Sequence, residues 1–150
     1  MTTAAVFATQ NPHAWLVYCD GSAVPNPGRM GLGAVLTSPG GGQTHLSQTS
    51  SERGCNNEAE LRALMLALRE ANSLGATALL VYSDSRVLVD QLGGGAAAQP
   101  IARLAGLFDE ARALLGLFDR LHLAWIPRHR NGAADELARA ALGKAPKVTG

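Results

Sequence analysis

Lysine is almost missing from this sequence: two of its 150 residues, Lys144 and Lys147, against eleven arginines. Cysteine is as scarce. Cys19 and Cys55 form no CxxC pair, which excludes a disulfide framework. No apolar run approaches the roughly 18–20 residues that span a bilayer. Met1 to Asn11 carries neither a Lys or Arg nor the long apolar block of a secretory signal. Charge of one sign is lacking too. Thirteen basic and twelve acidic side chains leave +1, so composition alone announces neither nucleic acid nor an anionic membrane. The arginine bias suits phosphate contacts, but genomic base composition produces the same skew. Together these absences describe a reduced, cytoplasmic protein with no membrane partner and nothing narrower.

What is present suffices for one domain. At 15.6 kDa, 47% hydrophobic and 17% charged, the chain buries enough surface to fold around one core and is no disordered polymer. The first thirteen residues read as a flexible leader. Residues 14–20 (AWLVYCD) form a short strand-like run ending in an acid. The stretch 21–31 (GSAVPNPGRMG) follows, and its prolines and glycines forbid a helix. Residues 32–37 and about 43–50 read as two further strands joined by the Pro39–Gly42 turn.

From Asn57 to Leu74, Leu61, Leu64, Met65 and Leu68 recur at helical spacing, with Gly75 as the stop. A buried strand at 78–84 (ALLVYSD) leads into a short helix from Ser85 to Leu92, broken at Gly93–Gly95. Pro100 opens another helix to about Phe118, and residues 121–126 (LHLAWI) are a fifth strand. A last helix runs from near Asn131 to about Leu142, before a flexible tail over 143–150. The order βββαβααβα, without internal repeats, is a mixed α/β domain over 14–142.

Two acids sit oddly. Asp20 and Asp84 each close an apolar strand, and open α/β sheets put ligand sites at the C-terminal edge of parallel strands. If those strands are parallel neighbours, the carboxylates lie together, at a cost unless a cation lies between them. Oxygen ligands without a cysteine cluster favour magnesium or manganese over zinc. Taken singly, each acid is also what a turn or helix cap uses.

The helix start Cys55–Asn56–Asn57–Glu58–Ala59–Glu60–Leu61 puts Glu58 and Glu60 on opposite flanks of the apolar face, and periodicity does not choose between them. Near the end, His129 sits in a loop between Arg128 and Arg130, Asn131 is a helix-cap residue, and Asp135 lies one turn on. His13, His45 and His122 have no metal-ligand spacing and read as structural or surface residues.

Four pieces in this order resemble type 1 ribonuclease H. They are Asp20–Gly21–Ser22 with Asn26–Pro27–Gly28; Asn56–Asn57 with Glu60–Leu61; Asp84–Ser85; and Asn131 with Asp135, Leu137 and Ala138. The resemblance covers about residues 14–142. It implies a ribonuclease H-like fold: a five-stranded mixed sheet, three strands antiparallel and then two parallel, flanked by helices. It also implies a metal-binding, catalytic set of Asp20, Glu60, Asp84 and Asp135, leaving Glu58 as a surface acid. Such enzymes hydrolyse the RNA strand of RNA/DNA hybrids to 3′-hydroxyl and 5′-phosphate ends, using two Mg²⁺ ions per site with Mn²⁺ as a substitute. Gly21, Ser22, Asn26, Asn56 and Asn57 are then expected to line the hybrid's minor groove, with Asn131 among the substrate contacts. Arg53 and Cys55 are expected at a DNA-strand phosphate, where Cys55 replaces a better donor, threonine.

The chain also departs from that pattern. Many members grip the hybrid with a basic helix and loop, but residues 87–102 hold no Lys or Arg, which predicts a shallower salt dependence. His129 precedes Asn131 by only two residues, closer than in members with a long histidine loop; it is carried over as an assistant in proton transfer or product release. Too little chain precedes Trp15 for a separate hybrid-binding module, and a monomer suffices. Three other readings compete. A same-fold nuclease that also cuts double-stranded RNA differs only in groove fit. A non-catalytic hybrid-binding module has no use for four clustered acids. A two-carboxylate glycosidase explains neither the asparagines nor the strand order.

Overall fold

The computed structural model describes residues 2–93 and 101–143. Three antiparallel strands come first, as their tight turns require: β1 (Trp15–Val24), β2 (Gly28–Thr37) and β3 (Gln43–Gly54). Two parallel additions follow, β4 (Ala78–Ser83) and β5 (Arg120–Trp125), giving the sheet order β3-β2-β1-β4-β5. The mixed five-stranded sheet is the one the motifs imply.

One face of the sheet lies under α2 (Asn56–Ser73), whose Leu61, Leu64, Met65 and Leu68 are buried as their spacing requires. They meet Val17, Leu36, Leu79 and Val81 from the strands in a single core. Gly75, at φ +85°, lets the chain turn out of this helix. The short helix α3 (Arg86–Leu92) is capped by Ser85, whose hydroxyl accepts the Leu88 N–H at 3.1 Å. α4 (Ala105–Leu115) adds Phe108 and Ala111 to the same core. It begins after a 3₁₀ turn at Ala102–Leu104 and ends before Gly116, short of the expected Phe118. The start expected at Pro100 lies outside the described residues, as do Gly94, Gly95 and the tail from 144.

The opposite face carries α5 (Gly132–Ala141). Along β2, Met30, Leu32, Ala34 and Leu36 enter the core under α2, while the alternating Gly31 and Gly33 face α5. A Cβ on Gly33 would collide with the Ala134 carbonyl oxygen, and one on Gly31 with that of Ala138. The helix therefore rests on bare backbone, with Ala134 and Ala138 fully buried. Two side chains of β3 fasten its far end: the Ser47 hydroxyl donates to the Leu137 carbonyl at 2.6 Å, and Thr49 to that of Ala141 at 2.7 Å.

The leader differs from expectation. Residues 3–10 form helix α1 (Thr3–Gln10), capped by Thr2, and Phe7 stacks on His122 of β5 with ring centroids 5.8 Å apart. The alanine-rich segment favours helix, but it buries no residue fully and so shows no apolar stripe. Among the described residues no helix is long and apolar enough to cross a membrane.

Because α5 sits on glycine backbone, Gly33→Ala is expected to cost about 1–3 kcal/mol of stability, the usual range for overpacking. Urea unfolding measures this; a midpoint equal to that of the parent would show that α5 is not seated there.

Candidate active site

Strand register brings the first two acids together. β1 and β4 pair in parallel from Trp15↔Leu79 to Tyr18↔Tyr82, where the two tyrosine rings pack 5.0 Å apart. Two residues further along each chain stand Asp20 and Asp84. Asp20 does not close its strand, as the sequence suggested: β1 runs on to Val24, paired with β2 alone. Gly21 makes this passage fit, because a Cβ there would strike the Ala59 carbonyl at the start of α2. That close approach delivers Glu60 to the same place.

Asp20, Glu60 and Asp84 each offer an oxygen within 4.8 Å of the others'. Among the described residues they are the only such group of three or more His, Cys, Asp or Glu. Asp135, from the first turn of α5, stands against Asp20 within side-chain hydrogen-bond reach and is paired to Arg139 at 3.0 Å. A cleft of about 130 Å³ opens onto Asp20, Glu60 and Asp135, with Gly21, Ser22 and Asn56 along one wall and Arg128 and Arg139 beside them. A larger groove of about 310 Å³, containing Arg62, Arg69 and Glu110, borders none of the four acids.

The electrostatics are those of a site short of positive charge. Burial first, then Asp84, Asp135 and Glu60, push the Asp20 carboxyl up to about 8. Burial also raises Glu60, and Asp84 adds to it, while the Ser85 hydroxyl and Arg128 pull the other way. Three hard carboxylates this close fit a divalent cation with oxygen preference.

Asn131 was expected to touch substrate, but it is 1% exposed. Its Nδ2 donates to the Cys19 carbonyl at 2.9 Å and to Asp84 Oδ2 at 3.0 Å, so it ties β1, β4 and the start of α5 together. Both partners accept only, which fixes the amide's orientation and leaves its buried Oδ1 without a partner. Glu58 is likewise no free surface acid: its side chain is 13% exposed and paired with Arg62 at 2.8 Å. Arg62 lies one helical turn further on, a spacing that was legible.

Asn26 and Asn56 form a chain of bonds: Asn26 Oδ1 accepts the Asn56 N–H at 3.0 Å, and Asn56 Oδ1 accepts the Ala23 N–H at 2.9 Å. Asn56 remains exposed and lines the cleft, while Asn57 is half-buried and does not line it. Cys55 caps α2, accepting the Glu58 N–H at 3.4 Å and Arg103 Nη2 at 2.9 Å. Burial pushes its thiol up, but Arg103 and the N–H groups of Glu58 and Asn57 outweigh this and lower it below the ordinary range. Arg53 is exposed on β3, opposite Arg29.

His129 stays exposed in the 3₁₀ turn Arg128–Arg130 and does not line the cleft; its neighbour Arg128 does. Arg128 and Arg103 were both missed, since loop and turn arginines carry no periodic signal. Arg139, four residues after Asp135, was readable from its spacing.

Residues 18–141 match the family described as reverse transcriptase-like. The chain is 37% identical over 131 residues to the bifunctional protein Rv2228c of Mycobacterium tuberculosis, covering 87% of this chain and 36% of that one. It is 36% identical over 129 residues to ribonuclease HI of Halobacterium salinarum, covering 85% of this chain and 64% of the relative. It thus spans about a third and just under two-thirds of those relatives. The crystal structure of RNase H1 from Halobacterium salinarum superposes with a TM-score of 0.81 at 35% identity, covering 88% of this chain and 99% of the other. LC11-RNase H1, solved in complex with an RNA/DNA hybrid, matches with a TM-score of 0.76 at 29% identity, covering 86% and 96%.

The raised Asp20 fixes a sign. Between its ordinary value of 3.8 and about 8, the folded protein holds a proton that the unfolded chain has released. Stability of the metal-free protein is therefore expected to fall as pH rises through that window. Asp20→Asn should flatten the fall and add about 1 kcal/mol or more at pH 8, roughly 2–4 °C in Tm for a domain of this size. Mg²⁺ or Mn²⁺ should raise the parent's Tm more at pH 8 than at pH 5. Thermal melts with and without chelator test both; a metal-free Tm that climbs from pH 5 to 8 would contradict the assignment.

Proposed function

The chain belongs to the reverse transcriptase-like family and, within it, to the ribonuclease HI group; on that premise we propose that it is an endonuclease that hydrolyses the RNA strand of RNA/DNA hybrids, leaving 5′-phosphate and 3′-hydroxyl ends. The observation that carries this reading is the convergence of Asp20, Glu60 and Asp84 from three separate elements, with Asp135 against Asp20. A purely binding surface gains nothing from burying mutually repelling acids.

Asp20, Glu60, Asp84 and Asp135 are the ligands assigned to two Mg²⁺ ions, or Mn²⁺ in their place. When bound, these ions supply an activated water and charge stabilisation for the leaving 3′ oxygen. The protein's own part is positioning. Asn131 commits Asp84 Oδ2 to a hydrogen bond and so helps to orient that carboxylate. Gly21, Ser22 and Asn56 give the cleft a polar wall of small groups, suited to the edges and 2′-hydroxyls of a minor groove. The Asn26–Asn56 chain holds that wall in register with β1. Glu60, half-buried at the same cleft, is within the region where a ribose 2′-hydroxyl would distinguish RNA from DNA. Cys55 and Arg53, with Arg103 now added, are assigned to a phosphate of the DNA strand. The two unbridged thiols suit a reducing compartment, and the proposed setting is a cytoplasmic monomer.

One labelled RNA strand, presented alone, as an RNA duplex and as a DNA hybrid, tests the substrate. Metal-dependent cutting of the hybrid is expected, and cutting of the RNA duplex as well would widen the substrate without changing the mechanism. Asp84→Asn should keep the fold and lose more than the roughly 10–100-fold typical of an outer-shell partner, with Asn131→Ala falling inside that range. Full activity of Asp84→Asn would remove it from the site. Glu60→Gln should be crippled, while Glu58→Gln should lose only its ion pair, at most about 1 kcal/mol, and keep its turnover. The reverse ranking would overturn the choice of glutamate.

A further inference from the structure

The chain carries no cation between residues 87 and 102, yet it must hold a polyanion over a cluster of four acids. Its arginines are unevenly spent. Arg62, Arg112 and Arg139 are each paired to a carboxylate on their own helix, and Arg103 is turned to Cys55. Arg86 and Arg128, like Arg29, Arg53, Arg69, Arg120 and Arg130, have no carboxylate within ion-pair distance among the described residues, but these two adjoin the acids.

Both stand beside the acids. Arg86 begins α3, two residues after Asp84, and its guanidinium carbon lies 3.9 Å from the centre of the Trp125 ring. That ring is itself fixed, because Trp125 Nε1 donates to the Asp84 carbonyl at 3.1 Å, and it remains 36% exposed. Arg128 follows three residues later and forms part of the cleft wall with Asp20 and Glu60. Its charge reaches Glu60. Trp125 ends β5 and Arg86 begins α3 just past β4, so this pair lies at the C-terminal ends of the two strands next to Asp84, with Arg128 three residues on at the cleft.

We propose that Arg86, Trp125 and Arg128 form the rim that grips the phosphodiester backbone of the strand entering the cleft, in place of a basic protrusion. The proposal rests on the hybrid-cleaving reading. A guanidinium held over an aromatic ring makes that contact without spending its N–H donors, the groups that meet a phosphate with two hydrogen bonds. Its orientation is set before the ligand arrives, which reduces the ordering that binding must impose. Four acids without their cations repel a phosphate chain. Two unpaired arginines at their border supply the local attraction that a net charge of +1 does not. His129, between Arg128 and Arg130, is exposed and has no part in the rim.

The test is binding of a fluorescently labelled RNA/DNA hybrid to the full chain in chelator, as a function of salt, alongside steady-state cleavage in Mg²⁺. Arg86→Gln and Arg128→Gln are each expected to weaken binding several-fold. Each should also lower the slope of log K against log salt by about 0.7–0.9, the release expected for one phosphate contact. Arg86→Lys and Arg128→Lys should keep most of that slope, since they keep the charge. Arg112→Gln, which breaks the Asp109 pair and the weaker contacts to the Gln91 carbonyl and the Phe108 ring, none of them at the cleft, should leave the salt slope unchanged. In cleavage, KM should rise by the same factor as Kd while kcat moves less than about twofold. Unchanged salt slopes in both glutamine variants, with the parent still binding and cutting hybrid, would overturn the rim. So would a fall in kcat at constant KM. If the slopes drop as expected but the parent cuts no hybrid, the nuclease reading fails and the rim stands as a phosphate-binding strip.

Discussion

Everything at the acidic site depends on the parallel pairing of β1 with β4. Their register ends at Tyr18↔Tyr82, and the next side chains on the same edge are the two aspartates. Parallel pairing needs a long crossover, and α2 supplies it. The helix that makes the pairing feasible therefore also brings Glu60, with Gly21 allowing the approach. The site is not appended to the fold. It lies where one strand continues beside β2 after its other neighbour has stopped.

That arrangement opposes stability locally. Asp20, 8% exposed and surrounded by three other carboxyls, holds its proton well above the carboxylate range. The core under α2 and the seating of α5 on glycine backbone must offset this cost. A divalent cation bound among these acids would relieve it directly and would link folding to metal occupancy. Asn131 belongs to the same design. Its amide joins a β1 carbonyl and a β4 carboxylate, both pure acceptors, and only an amide or another donor can stand between them.

The parts of this reading legible in the sequence were those set by local spacing. The strands and helices followed from runs of apolar residues and from Gly and Pro punctuation. Asp20 and Asp84 drew attention as acids after apolar strand runs, although β1 runs on past Asp20. Glu60 and Asp135, both on helices, were implied by the family resemblance alone. What the sequence left hidden was set by where side chains point in three dimensions. Asn131 reads as a surface cap because a cap residue usually is one; its burial comes from β1 lying behind it. His129 drew attention by its chemistry, while a single 3₁₀ turn presents Arg128 to the cleft instead. Glu58 and Glu60 were indistinguishable by periodicity because both flank the apolar stripe of α2. The helix α1 was overlooked since its contacts, such as Phe7 on His122, lie outside the core that patterning detects.

The order of the chain adds a consequence in time. Asp20, Glu60 and Asp84 emerge from the ribosome ahead of α5, so the sheet and its α2 face have what they need to begin packing before Asp135 exists. Asn131, which braces Asp84, arrives with that last helix as well. Domains fold broadly in the order of synthesis, at about 5–20 residues per second. A nascent chain therefore carries an incomplete set of acids with nothing to orient Asp84. In the folded protein α5 rests on Gly31 and Gly33 of β2, so the contact that seats this helix also carries Asn131 to Asp84 and Asp135 to Asp20.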